Sequence, residues 1–301
     1  MKHWFWLLTT LVALPLNEAH SAQSIIASTK IERGVGEIGH RKSYGYKRIA
    51  GFSRRGNRSQ RFEIRHGDCN GSEGWNDCRE DRARLERKEA PLNRLAGKSK
   101  HIWLGFSIYV PEDFQPLAGG ALTSVIQTKV RRKHMPIWQM FMAGVPHVVF
   151  SDNSACRMGR INDWRGQWND VTIYANYSSG KRNTYFQIYR NGELLCERKE
   201  PIIHRELKGS RFQTFLKYGI YQAFVSRHLG TYGKTPKKFV KNEAAEAWFG
   251  SIGREVKWPF RYDWGVKLPK QVIYFDEMLA GQSREAVDVR IREAKGLRPV
   301  D

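Results

Sequence analysis

Apolar and polar residues alternate with a period of two along much of the chain, the pattern of strands that bury one face. Arg61-Phe62-Glu63-Ile64-Arg65, the run from His101 to Val110, Val171 to Tyr177, Thr184 to Arg190 and Gln271 to Phe275 carry it, enriched in β-branched and aromatic side chains. Turn formers separate these runs: Pro111-Glu112-Asp113, Gly119-Gly120, Ser178-Ser179-Gly180 and the hairpin pair Asn191-Gly192. With no array of 3.6-residue periodicity and no repeat, the pattern predicts an all-β fold, most economically a two-sheet antiparallel β-sandwich of jelly-roll type. Two segments read as helix: Cys78 to Glu89, where charges recur at i,i+4, and Ser283 to Ala294. Residues 233–265, rich in Lys, Pro, Trp and Gly, predict a long loop.

The N-terminus departs from this pattern. A basic start at Met1-Lys2-His3, an apolar run from Trp4 to Leu16 too short to span a bilayer, and small residues around Ser21-Ala22 predict a signal peptide over residues 1–22. Pro15 and Asn17-Glu18 argue against a buried N-terminal helix. The expected organisation is a signal, one sandwich domain over 23–285, and a tail over 286–301, in a secreted or periplasmic protein. Cys69, Cys78, Cys156 and Cys196 are even in number, as an oxidising compartment would favour. Cys69 and Cys78 flank a turn-rich stretch, which favours pairing them, with Cys156–Cys196 as the complement. No Cys-x-x-Cys or Cys/His spacing of the zinc type is present.

Charge narrows the partner. Lys and Arg number 51 against 30 acidic residues, a formal +21, which calls for a polyanion. Export disfavours nucleic acid, and no later segment reads as a membrane span. An anionic polysaccharide bound by a monomer is therefore the expected partner. Eliminating across a uronate requires neutralising its carboxylate, a base for the C5 proton and an acid for the leaving oxygen at C4. Hydrolysis would instead need two carboxyl groups about 5 to 9.5 Å apart, and the strand segments show no Glu-x-Asp-x-x-Glu arrangement that would put such a pair on one face, which weighs against hydrolysis.

Phe215-Leu216-Lys217-Tyr218-Gly219-Ile220-Tyr221 is the most informative segment. In a strand, Lys217, Gly219 and Tyr221 share one side, which sets a lysine and a phenol together with only a glycine between them. The plainer reading makes Tyr218 and Ile220 the core face and Lys217 and Tyr221 a merely solvated one.

This segment resembles the Lys-x-Gly-x-Tyr strand of jelly-roll, concanavalin-like polysaccharide lyases, the group of heparin lyase I, alginate lyases and glucuronan lyases. Trp103 to Pro111 resembles that group's early core strand, Val125-Ile126-Gln127-Thr128-Lys129 its Gln-x-His strand, and Tyr274-Phe275-Asp276-Glu277 its closing strand. Asp68-Cys69, Asp77-Cys78 and Asp81 to Glu86 look like the heparin-lyase branch's Cys-bearing loop leading into an Arg-x-Glu strand, which would make residues 82–87 extended rather than helical. The likeness covers about residues 60 to 280.

The resemblance implies roles. Tyr221 would be the catalytic acid and a candidate base, its phenol pKa lowered among cations. Lys217 would hold the substrate carboxylate or stabilise the tyrosinate. Gln127 would hydrogen-bond the carboxylate, and Arg84 would add a cationic contact oriented by Glu86. The sequence departs from the motif at Lys129, which stands where a histidine is common and would need a strongly depressed pKa to act as a base. His66, after the strand ending at Arg65, is the candidate replacement base, and Arg65 and Lys129 are candidate substrate contacts. A surface or structural role for His66 competes evenly with that assignment. His134, in the basic stretch from Lys129, is a weaker candidate. Trp138, Trp164 or Trp168 are candidate sugar platforms, though tryptophans more often serve the core. The architecture accommodates a structural calcium, but no Asp-rich calcium loop occurs, so no cofactor and no catalytic metal is expected. A non-catalytic glycan-binding sandwich and a glycoside hydrolase of the same fold remain the competing classes.

Overall fold

The computed structural model describes residues 23–24, 30–31, 42–72, 75–91, 100–130, 136–178, 182–203, 214–237, 239 and 258–300. The proposed signal peptide, His134 and most of the 233–265 stretch lie outside the described residues.

The early strands are β1 (Gln23–Ser24), β2 (Lys30–Ile31), β3 (Tyr46–Ala50), β4 (Arg58–Ile64), the two-residue ribbon β5 (Gly71–Ser72) and β6 (Trp75–Asn76), β7 (Arg82–Pro91) and β8 (His101–Tyr109). The middle strands are β9 (Leu122–Val130), β10 (Pro136–Phe141), β11 (His147–Phe150), β12 (Ala155–Arg157) and β13 (Trp168–Asn176). They are followed by β14 (Phe186–Arg190), β15 (Glu193–Arg198), β16 (Thr214–Ala223) and β17 (Gln271–Gly281). One sheet runs β15-β14-β13-β8-β17-β4-β3, with β1 also on β17, and the other runs β12-β11-β10-β9-β16-β7-β2. All these strand pairs are antiparallel. This is the two-sheet sandwich that the alternation predicts.

Alternation explains which faces meet. Ile102, Leu104, Phe106 and Ile108 of β8 point inward and are at most 1% exposed, while Leu216, Tyr218 and Ile220 do the same from β16 and are fully buried. The Tyr218 hydroxyl donates to Gln60 Oε1 at 3.0 Å, so a buried polar group on one sheet is satisfied by the other. Asn191 (φ 52°) and Gly192 (φ 90°) make the tight turn between β14 and β15.

The disulfides are Cys69–Cys78 and Cys156–Cys196. The second joins β12 to β15, and so one sheet to the other. Helix α1 spans Val225–Tyr232, and the C-terminal segment forms α2 (Arg284–Val287) and α3 (Val289–Ala294), matching the helix expected over 283–294. Val287 packs so closely on Gly105 of β8 that a Cβ there would lie 1.9 Å from the Val287 carbonyl oxygen.

One local expectation fails. Residues 82–91 form a strand, not part of a charged helix. Ala83 and Leu85 fill the core side while Arg84 and Glu86 occupy the other, so the charges alternate with small apolar residues rather than following a helical face. The extended reading of 82–87 is the one the structure contains. Trp138 and Trp164 are fully buried in the core, and Trp168 packs with Phe52 and Tyr109 on the first sheet, so none of them is a platform beside Tyr221.

Among the described residues no helix is long and apolar enough to cross a membrane, and no group of three or more His, Cys, Asp or Glu is set to hold a metal.

Candidate active site

Side chains on the face of the second sheet turned away from the core assemble the candidate site, because register brings distant segments into rows. Tyr221 pairs with Arg84 on β7 and with Ser124 on β9. In the neighbouring row Lys217 pairs with Lys88 on one side and Gln127 on the other, and Gln127 pairs with Gln139 on β10. Lys217 and Tyr221 thus share a face, as the spacing predicts, with Tyr218 and Ile220 in the core behind them.

A backbone irregularity separates the two rows. Between Tyr218 and Tyr221 the register of β16 shifts against β9, and Gly219 sits at φ 135°. A Cβ at Gly219 would come within 2.3 Å of the Leu85 carbonyl oxygen and 2.9 Å of the Phe62 ring, so only glycine fits. With glycine there, β16 puts no side chain between Lys217 and Tyr221, and Glu86 of β7 pairs across from that position.

A hydrogen-bonded network fixes the surrounding groups. Arg84 donates from Nε and Nη2 to the Asp77 carboxylate at 2.8 and 2.7 Å, its guanidinium carbon lies 4.5 Å from the Tyr221 ring centre, and Nη1 lies 3.6 Å from Glu86. Gln127 Nε2 donates to Glu86 Oε1 at 2.5 Å, and Gln139 Nε2 donates to Gln127 Oε1 at 3.1 Å. Asp77, Arg84, Glu86, Gln127 and Lys217 are each at most 5% exposed. Such burial prevents rotamer drift and strengthens every charge–charge interaction in the site.

Proton affinities follow from this setting. Burial pushes Lys129 down to about 7, with the charges of Lys217 and Arg84 adding to the fall and Glu86 opposing it. Burial also raises the Tyr221 phenol, and Arg82 and Arg84 only partly offset this, so the lowering expected for a tyrosine among cations is not found. Burial disfavours the charge of Arg84, but Asp77, Tyr221 and Glu86 hold its pKa above the ordinary range.

His66 and Arg65 follow β4, in the other sheet. His66 Nδ1 accepts the Leu268 backbone N–H at 3.1 Å, its ring meets Phe260 edge-on, and burial followed by the charge of Lys267 lowers its pKa. Arg65 binds Glu63 at 2.5 Å and lies 3.7 Å over the Tyr44 ring. The rows beside Tyr221 therefore gather Lys217, Gln127, Arg84 and Glu86, with Lys129 coupled to them by charge, and the contacts of His66 and Arg65 lie with other residues. Sequence reasoning missed Asp77 and Gln139. Gln139 was visible as the polar residue in the apolar run Ile137-Trp138-Gln139-Met140-Phe141, whereas Asp77 had no signal beyond its place beside Cys78. A cavity of about 420 Å³ opens elsewhere, on the first sheet beside Trp103, Tyr174 and Arg182, and includes none of these groups.

A search of curated protein sequences returned no match. Among solved structures, an endo-β-1,4-glucuronan lyase from the fungus Trichoderma reesei superposes with a TM-score of 0.52 at 12% identity, covering 86% of this chain and 97% of that one. Alginate lyase A1-II′ gives 0.44 at 10% identity, with 80% and 85% covered. An alginate lyase of polysaccharide lyase family 7 gives 0.43 at 15% identity, with 67% and 86% covered. The likeness to the glucuronan lyase speaks to the fold. The family model described as polysaccharide lyase matches residues 27–253, most of the chain, and the protein belongs to that family.

Proposed function

We propose that this polysaccharide lyase cleaves a uronate-containing polysaccharide by β-elimination, leaving a 4,5-unsaturated uronate at the new end. The observation that carries the reading is the convergence of Tyr221, Lys217 and Gln127 around a bulged gap on one sheet face. A uronate carboxylate in that gap would meet the Lys217 ammonium and the second amide proton of Gln127, which together stabilise the charge that spreads onto the carboxylate when C5 loses its proton. The glucuronan and alginate lyases of similar fold act on polymers of this acidic class, by their names.

The proton steps divide between two groups. A neutral Lys129 amine takes the C5 proton, the freed electron pair forms the C4=C5 bond, and the C4–O4 bond breaks. The Tyr221 phenol gives its proton to the departing oxygen. The Lys129 ammonium then returns a proton through solvent to the tyrosinate, which restores both groups. A phenol whose pKa is raised is loaded for donation, and an amine titrating near 7 is available for acceptance at neutral pH. Lys129 suits the base role better than His66. With Nδ1 accepting from Leu268, the neutral imidazole carries its proton on Nε2 and has no lone pair left for a substrate.

Two disulfides support an exported enzyme, since such bonds persist in oxidising compartments. The test is incubation of the purified protein with glucuronan, alginate, heparin and bacterial capsule while following the ultraviolet absorbance of the unsaturated uronate. Release of saturated ends would mean hydrolysis, and binding without cleavage would mean a carbohydrate-binding protein. Either result overturns the elimination.

A further inference from the structure

The row that contains Tyr221 does not stop at Ser124. Ser124 pairs with Phe141 on β10, Phe141 with His147 on β11, and His147 with Arg157 on β12. Direct cross-strand partners project to the same side of a sheet, so Arg84, Tyr221, Ser124, Phe141, His147 and Arg157 form one line across the strands. Met140, Val148 and Cys156, the alternate residues of those outer strands, fill the core, which places the far half of the line on the same outward face as Tyr221.

That far half is built as a platform. The Phe141 and His147 rings stack with centroids 5.3 Å apart and planes 29° from parallel. His147 Nδ1 lies 2.8 Å from the Val145 carbonyl oxygen, and because a carbonyl only accepts, Nδ1 carries the proton and the ring is locked in place. Phe141 is 4% exposed, so the half-buried imidazole is the more accessible ring of the pair. Arg157 next to it is exposed, on a three-residue edge strand whose middle residue, Cys156, is tied to Cys196 of the opposite sheet. From β16 to β11 is three strand spacings, about 14 Å, which exceeds one pyranose ring.

We propose that His147 on Phe141, flanked by Arg157, forms a second sugar subsite, which holds a uronate ring further along the same chain than the ring at Tyr221. The inference rests on the uronate reading above. The imidazole face takes the C–H face of the sugar, and Arg157 takes its carboxylate. Binding energy gathered several rings from the reacting bond favours long chains over short ones and cleavage inside the polymer.

The experiment compares kcat/KM on long and short oligouronides for the wild type, Arg157→Ala, His147→Ala and Arg48→Ala. Arg48→Ala removes the same charge from an exposed position of the other sheet. The ratio of long-chain to short-chain kcat/KM should fall about tenfold in the first two variants, recover partly in Arg157→Lys, and stay at the wild-type value in Arg48→Ala. Calorimetric binding of a long oligouronide to Tyr221→Phe, with and without Arg157→Ala, reads the subsite apart from the chemistry. If product forms and neither the ratio nor the affinity moves, the subsite is wrong and the lyase reading stands. If no product forms with any polymer but Arg157→Ala weakens binding, the subsite stands and the elimination falls. If no oligouronide binds, both fall.

Discussion

The Arg84 guanidinium lies 4.5 Å over the Tyr221 ring while it grips the Asp77 carboxylate through two nitrogens. A buried anion thus fixes a cation, and the cation covers the phenol on its neighbouring strand. Lysine has the charge but not the fork, so Arg84→Lys should leave Asp77 half satisfied and free the ring to turn. Arg84→Ala should be worse, at about 3–5 kcal/mol of stability, because it strands a buried carboxylate. Denaturant unfolding of both variants, with Asp77→Asn as a milder third, checks the order.

Tyr221→Phe removes the proton donor and keeps the ring beneath Arg84. Turnover should fall by about 10²–10⁴-fold, the usual contribution of a positioned acid, with unfolding unchanged. Retention of most of the activity would exclude the phenol from the proton transfers.

Lys129 sets a pH signature in both activity and stability. With its folded-state pKa near 7, kcat/KM should rise as pH passes through about 7, and Lys129→Met should lose that limb together with most of its activity. For stability the sign follows from the same depression. An amine titrating near 10.5 when unfolded and near 7 when folded makes the unfolded chain bind more protons between those values, so stability from this group increases with pH across that window. Lys129→Met should therefore exceed the wild type in stability at pH 6, by a margin that shrinks toward pH 10, as a series of thermal melts would show.

Gly219→Ala should be severe for a position that makes no side-chain contact. The added methyl meets the Leu85 carbonyl and the Phe62 ring at a φ that other residues avoid, a cost of about 3 kcal/mol or more. Any folded remainder should show turnover reduced beyond its stability loss, because the bulge sets the spacing of Lys217 and Tyr221. Activity per folded molecule at low temperature separates the two effects.

The strands of the sandwich were legible because one buried face imposes a period of two on the residues themselves, as in Ile102, Leu104, Phe106 and Ile108. Residues 82–88 misled because this strand carries long charged side chains where a strand usually carries short polar ones, and Arg82 and Glu86 at i,i+4 then mimic a helix. The bulge at Gly219 was legible only as a glycine, since the Leu85 carbonyl and the Phe62 ring that crowd it come from distant segments of the chain.

That Lys217 and Tyr221 lie on one side follows from local backbone geometry, so the sequence alone determined it, along with the strand content and the excess positive charge. Tertiary structure alone decided that Arg84 and Gln127 stand beside them, that Asp77 anchors the network, and that burial together with the charges of Lys217 and Arg84 pushes Lys129 down to about 7. Strand order and register depend on contacts between distant segments, and a pKa depends on what surrounds the group after folding. Neither is encoded in any short stretch of the chain.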